Sequence, residues 1–178
     1  MMQGKNILAI SGSTRIHSSN LNLIKAIEKL YASGLSIKIY DGLLNLPQFN
    51  PDDDTENPPV PVTHLRKQIK EANGILICTP EYAMGIPGSL KNLLDWTVSS
   101  SDFSNKPVVA ITASSLGQKA HASLVGTLQV IEARITESTQ LLISFIKTKV
   151  NDRQQITDEN TLKDVRIAMD AFIAVLNN

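Results

Sequence analysis

Residues 6–20 read NILAISGSTRIHSSN. An apolar run, Asn6 to Ile10, passes straight into a turn rich in glycine and hydroxyl groups, and the turn opens an amphipathic segment. Leu23, Ile24, Ile27, Leu30 and Tyr31 recur there at helical spacing, with N-cap residue types at Ser18 to Asn20. The same alternation continues along the chain. Ser36 to Tyr40, Gly74 to Thr79, Pro107 to Ala113 and Gln140 to Phe145 read as four further strands. Three of the five are apolar on nearly every residue, as strands covered on both faces are, whereas SIKIY alternates and is expected nearer an edge.

Between and after these strands run four more helical stripes: Leu65, Ile69 and Ala72; Leu90, Leu93, Leu94 and Val98; Leu124, Leu128, Ile131 and Ile135; and Leu162, Val165, Ile167 to Met169, Phe172 and Leu176. Lys91 and Asp95 stand four apart on the polar side of the second. Strict β-α alternation predicts an α/β fold with a parallel sheet. Five strands fit a flavodoxin-like three-layer sandwich of order 2-1-3-4-5, with helices on both faces and the ligand beside strands one and three. One stretch breaks the rhythm. Leu46 to Val62 holds five of the eight prolines and the run Asp52 to Asp54, and is expected to be a long, solvated, irregular connection.

With 178 residues, 42% of them hydrophobic, the chain is expected to form a single domain over residues 1–178. Lys and Arg number 17, as do Asp and Glu, so the basic excess of a nucleic-acid binder is absent. Cys78, the only cysteine, excludes a disulfide framework and any multi-cysteine metal or cluster site. Its apolar setting, ILIC, marks it as a buried, inert thiol. His17, His64 and His121 show no metal spacing. No apolar run approaches the roughly 20 residues of a membrane helix, and MMQGKNILAIS reads as a first strand rather than a signal peptide. A cytoplasmic protein is the expectation.

The first turn is dense in donors: Ser11, Ser13, Thr14, Ser18 and Ser19 carry hydroxyls, Asn20 an amide and Arg15 a guanidinium, and Gly12 permits a tight turn. A helix N-terminus adds unpaired N–H groups and the positive end of the dipole, so the junction is a natural anion site, most simply for a terminal phosphate. It is neither a Walker loop nor a dinucleotide fingerprint, since GxxxxGK[ST] and GxGxxG are both missing.

The third strand ends in TPEYAMGIPGSLKNLLDW, residues 79–96. Together, GSTRIHSSN (12–20) and PEYAMGIPGSLKNLLDW (80–96) resemble the NADPH-dependent FMN reductase family, flavodoxin-like quinone, azo-dye and chromate reductases; LPQFNP (46–51) and residues 106–113 extend the likeness. The resemblance implies an FMN phosphate on Ser13, Arg15, Ser18 and Asn20, with Ser11 and Thr14 close by. It implies a flavin ring beside Pro80, Glu81, Tyr82, Ala83 and Met84, and near Ser114, Ser115 and Gly117. It further implies NADPH or NADH as co-substrate, a small-molecule acceptor such as a quinone, free flavin, azo dye or metal oxyanion, and a homodimer or homotetramer with helix 90–96 at a subunit interface. No protein acid or base is expected, because the hard chemistry belongs to the cofactor. Two departures stand out: Ala83 replaces the asparagine of the family's PEYN, and ASSLGQKAH lacks paired glycines and sets Leu116 near the ring. A non-catalytic flavodoxin-type electron carrier and an FMN-binding sensor fit the same phosphate turn, although such carriers tend to be strongly acidic.

Overall fold

Apolar strands that need cover on both faces, joined by helices with one apolar stripe each, arrange themselves as three layers. The computed structural model describes residues 4–178. In chain order it forms β1 (Lys5–Ser11), α1 (Ser19–Tyr31), β2 (Leu35–Ile39), α2 (Val60–Glu71), β3 (Gly74–Thr79), α3 (Gly88–Asp95), β4 (Val108–Ala113), α4 (Gln118–Val130), β5 (Gln140–Ile143) and α5 (Glu159–Leu176). All neighbouring strands pair in parallel, in the order β2-β1-β3-β4-β5. This is the flavodoxin-like order expected from the sequence, with the alternating strand β2 at one edge.

Every residue of β3 and β4 is buried. Side chains alternate across the sheet, so β3 sends Ile75 and Ile77 to one core, with α2, α3 and α4, and Leu76 and Cys78 to the other, with α1 and α5. Both clusters end at the C-terminal edge of the strands, where the turns after β1, β3, β4 and β5 gather.

The helices α3 and α4 end sooner than their apolar stripes suggest. Val98 lies in the turn after α3 and is exposed. The Thr97 hydroxyl donates to the Leu94 carbonyl at 2.7 Å and helps end the helix there. Ile135 lies beyond α4 and packs half-buried on the core, while Ile167 faces outward from α5. Pro107 and Tyr40 fall just outside β4 and β2, and Ser144 and Phe145 outside β5. Phe145 has φ 57°, a left-handed conformation that no strand accepts.

The connection over 46–62 is better anchored than its composition predicts. Residues 51–53 make a short 3₁₀ turn capped by Asn50, and the final three residues already belong to α2, whose first turn accommodates Pro61. Asn92 and Trp96, one helical turn apart, clamp the LPQFNP segment. The Asn92 amide and Trp96 indole donate to the Pro47 carbonyl at 2.9 and 2.8 Å, and the Phe49 N–H donates to Asn92 Oδ1 at 2.7 Å. Phe49 meets the indole edge-on, with ring centroids 5.0 Å apart. Asp52 and Asp53 are solvated, but Asp54 corrects the reading of the acidic run: its side chain is only 9% exposed and pairs with Arg66 at 2.7 Å. Arg66 also donates to the Trp96 carbonyl from Nε and Nη2, at 3.0 and 2.6 Å. Burial alone would raise the Asp54 pKa; hydrogen bonds from Ser99 and Arg66, and the guanidinium charge, outweigh it and hold the carboxyl below its usual range.

Candidate functional site

At the C-terminal edge of the sheet lies a cavity of about 340 Å³, lined by Ser13, Arg15, Ser18, Ser19 and Asn20 from the first turn, Pro80, Glu81 and Tyr82 after β3, Ala113, Ser114 and Ser115 after β4, and residues 145–148 after β5. Segments far apart in the chain thus share one space. Nine of the fourteen expected site residues, Ser13, Arg15, Ser18, Asn20, Pro80, Glu81, Tyr82, Ser114 and Ser115, line it, whereas Ser11, Thr14, Ala83, Met84 and Gly117 do not.

The first turn is organised by its own hydroxyls. Ser11 donates to the Ser13 carbonyl and accepts from the Ser13 N–H, at 3.1 and 3.3 Å. Ser13 Oγ accepts from the Arg15 N–H at 3.5 Å. Ser18 is the N-cap of α1, its hydroxyl accepting from the Leu21 N–H at 3.4 Å. The N–H groups of Ser19 and Asn20 have no acceptor inside the helix, and the first turn of α1 carries no acidic residue to neutralise the dipole. Arg15 is exposed and forms no ion pair among the described residues. This donor set suits an anion. Asn20 lines the cavity with its side chain already engaged: its amide nitrogen donates to the Ala113 carbonyl at 3.2 Å, and its oxygen accepts from the Cys78 thiol at 3.2 Å. It ties α1 to the ends of β4 and β3. Burial pushes the Cys78 thiol up, which keeps it protonated and inert as expected.

The other walls hang from the exit of β4. The Glu81 N–H donates to Ser114 Oγ at 3.1 Å, and its carboxylate accepts from the Ala120 N–H at 2.9 Å. Gly117, at φ 99°, offers α4 no side-chain cap, so Glu81 supplies the missing acceptor and negative charge at that helix start. From the β5 side, the Phe145 and Ile146 N–H groups donate to the Ser115 and Ser114 carbonyls at 3.0 and 3.1 Å, and the Ser144 hydroxyl to the Leu116 carbonyl at 2.8 Å. Residues 145–148 were not foreseen as site residues, because the run QLLISF conceals the turn inside an apparent strand.

Tyr82 and Gly85 exchange both backbone hydrogen bonds, at 2.9 and 3.0 Å, around Ala83 (φ 47°) and Met84 (φ 61°). Left-handed φ at both central positions defines a type I′ turn, which favours asparagine, aspartate or glycine. Ala83 therefore removes a conformational preference as well as a polar side chain. Ala83→Asn is expected to stabilise the protein by roughly 0.5–1 kcal/mol, seen as a rise of about 1–4 °C in Tm.

His121, on α4, shares a 3.0 Å hydrogen bond with the buried Thr112 hydroxyl, and burial lowers its pKa below the usual histidine value. The unfolded chain therefore binds this proton more readily than the folded one. The stabilisation is complete above about pH 6.5 and is lost as pH falls through the lowered folded value. Melting curves from pH 7 to 5 are expected to show a fall that His121→Gln flattens.

Residues 5–148 match the family model for NADPH-dependent FMN reductase, and the chain belongs to that family. It is 31% identical to the NADH:(hydroxy)cinnamate reductase subunit CrdA of Vibrio ruber, over 90% of this chain and 81% of that protein. It is 29% identical to the 2-hydroxy-1,4-benzoquinone reductase of a Burkholderia species, over 94% of each chain. Among solved structures, FerB, a flavoenzyme NAD(P)H:(acceptor) oxidoreductase from Paracoccus denitrificans, superposes with a TM-score of 0.84 over 97% of both chains at 25% identity. The protein is accordingly an NAD(P)H-dependent oxidoreductase with FMN as its cofactor. The donor set around Ser13, Arg15 and Ser18, with a helix start behind it that carries no acidic residue, fits a flavin phosphate. No helix among the described residues is long and apolar enough to cross a membrane.

Proposed function

We propose that residues 1–178 act as one cytoplasmic domain that reduces small quinones with NAD(P)H, using FMN held in the cavity described above. The observation that carries this reading is the convergence of the donor-rich turn after β1 and the aromatic turn after β3 on one cavity. The benzoquinone reductase among the relatives supports the choice of acceptor.

FMN bound in this cavity would supply the hydride chemistry between the nicotinamide and the acceptor. The chain's part is to bind and orient. Ser13, Ser18, Arg15 and the first-turn N–H groups of α1 hold the phosphate. Tyr82, half exposed at the cavity, offers a flat apolar face, while the Ser115 N–H and the Glu81 carbonyl, not used in the junction with the β5 turn, are left to address the polar edge of the ring. Glu81 positions this wall and is no general base, since its carboxylate is held by the start of α4. Ser11, Thr14 and Gly117 shape their turns from outside the cavity.

Tyr82, Met84, Leu116 and Phe145 are all exposed large apolar side chains, on the turns after β3, β4 and β5. A second copy of the chain covering them fits a homodimer, or a homotetramer built from it. Protein loaded with FMN and mixed anaerobically with NADPH or NADH is expected to bleach, then to regain its colour when a benzoquinone is added. Flavin uptake with no bleaching by either nicotinamide would favour the electron-carrier reading. Failure to take up FMN would overturn the assignment of the cavity.

A further inference from the structure

The turn after β5 lines the cavity with Phe145, Ile146, Lys147 and Thr148. Its course is fixed by the main chain: Phe145 and Ile146 both donate to the β4 exit, and Phe145 is held in the left-handed region, which a bulky residue occupies only under constraint. The segment that follows stays near α1, where the Asn22 amide donates to Asp152 at 3.5 Å. This turn therefore borders the same cavity as the start of α1.

Two cations, Arg15 and Lys147, line that cavity, and among the described residues neither forms an ion pair. Glu81 is the one carboxylate in the lining, and its Oε2 is engaged by the Ala120 N–H. Like charges at one cavity repel each other, and an occupant carrying about two negative charges turns that repulsion into attraction. We propose that Lys147 is a second cation for the flavin phosphate, acting with Arg15 from a different turn of the fold. This rests on the FMN reading above and extends the phosphate subsite beyond the turn after β1. Thr148 places a hydroxyl on the same wall.

Riboflavin, the same ring and ribityl chain without the phosphate, separates the two claims. Apo-protein is titrated with FMN and with riboflavin in wild type, Lys147→Gln and Lys147→Arg, each at low and moderate salt. Lys147→Gln is expected to raise the Kd for FMN about tenfold at low salt and to leave riboflavin affinity unchanged. Lys147→Arg is expected to retain most of the FMN affinity, and the salt dependence of FMN binding is expected to flatten in the Gln variant. Because Lys147 is exposed, these changes leave the folded core intact, which the melting temperature of the apo-protein checks. An FMN Kd within twofold of wild type in Lys147→Gln, or equal weakening of FMN and riboflavin, overturns the proposal while leaving the FMN site standing. Wild-type protein that binds neither flavin overturns both.

Discussion

Gly12→Ala is expected to lower Tm by roughly 6–12 °C, a loss of about 3 kcal/mol, at the upper end of what overpacking costs in a chain of this size. A Cβ at this position would lie 2.2 Å from Thr79 Oγ1, 2.8 Å from Thr79 Cβ and 3.1 Å from Leu90 Cδ2. The backbone has little room to withdraw, because the Gly12 N–H donates to the Cys78 carbonyl at 2.8 Å and β1 pairs with β3 up to Ser11 and Cys78. Thr79 and Leu90 are themselves fully buried and cannot swing into solvent. Adding Thr79→Ala is expected to recover only part of the loss: it removes the hydroxyl, while the Thr79 Cβ contact persists. Thermal denaturation of the single and double variants measures both effects. An unchanged Tm in Gly12→Ala would mean that the first turn does not lie against β3 as described.

Arg15→Ala is expected to act on binding and to leave the fold alone. Its side chain is exposed and forms no ion pair among the described residues, so apo-protein stability is expected to stay within about 0.5 kcal/mol of wild type. FMN affinity is expected to fall by about 1.5–3 kcal/mol, roughly 10- to 150-fold in Kd, as a charged hydrogen-bond donor to the phosphate is lost. Riboflavin affinity should stay constant, and Arg15→Lys should fall between alanine and wild type because an ammonium keeps the charge without the fork. Fluorescence titration with the two flavins reads the difference. Equal FMN affinity in wild type and Arg15→Ala would remove Arg15 from the phosphate site.

The fold was legible because the central strands must be apolar on both faces, and no helix imitates that in so few residues. Cys78 was legible for the same reason. Strand and helix ends were not, since they depend on partners elsewhere: Thr97 helps close α3 through Leu94, and Asp54 leaves solvent because Arg66, on the next helix, reaches it. The donor-rich character of the first turn could be read from its density of hydroxyls, but the engagement of Asn20 could not, as its partner Ala113 lies 93 residues away. The turn at Ala83 and Met84 carries none of the glycine or asparagine that signals a type I′ geometry. Lys147 was hidden by the adjoining apolar run, which an alternating pattern assigns to a strand.

The loops around the cavity meet at the exit of β4 largely through carbonyls and amides, with serine hydroxyls and one carboxylate completing the junction. Leu116 and Phe145 enter that junction with their main chains alone, so the groups they present to the outside can be exchanged without loosening it. Such a frame lets new oxidants be accommodated by swapping ornaments at the mouth, and directed variation aimed at the acceptor should start with those two positions.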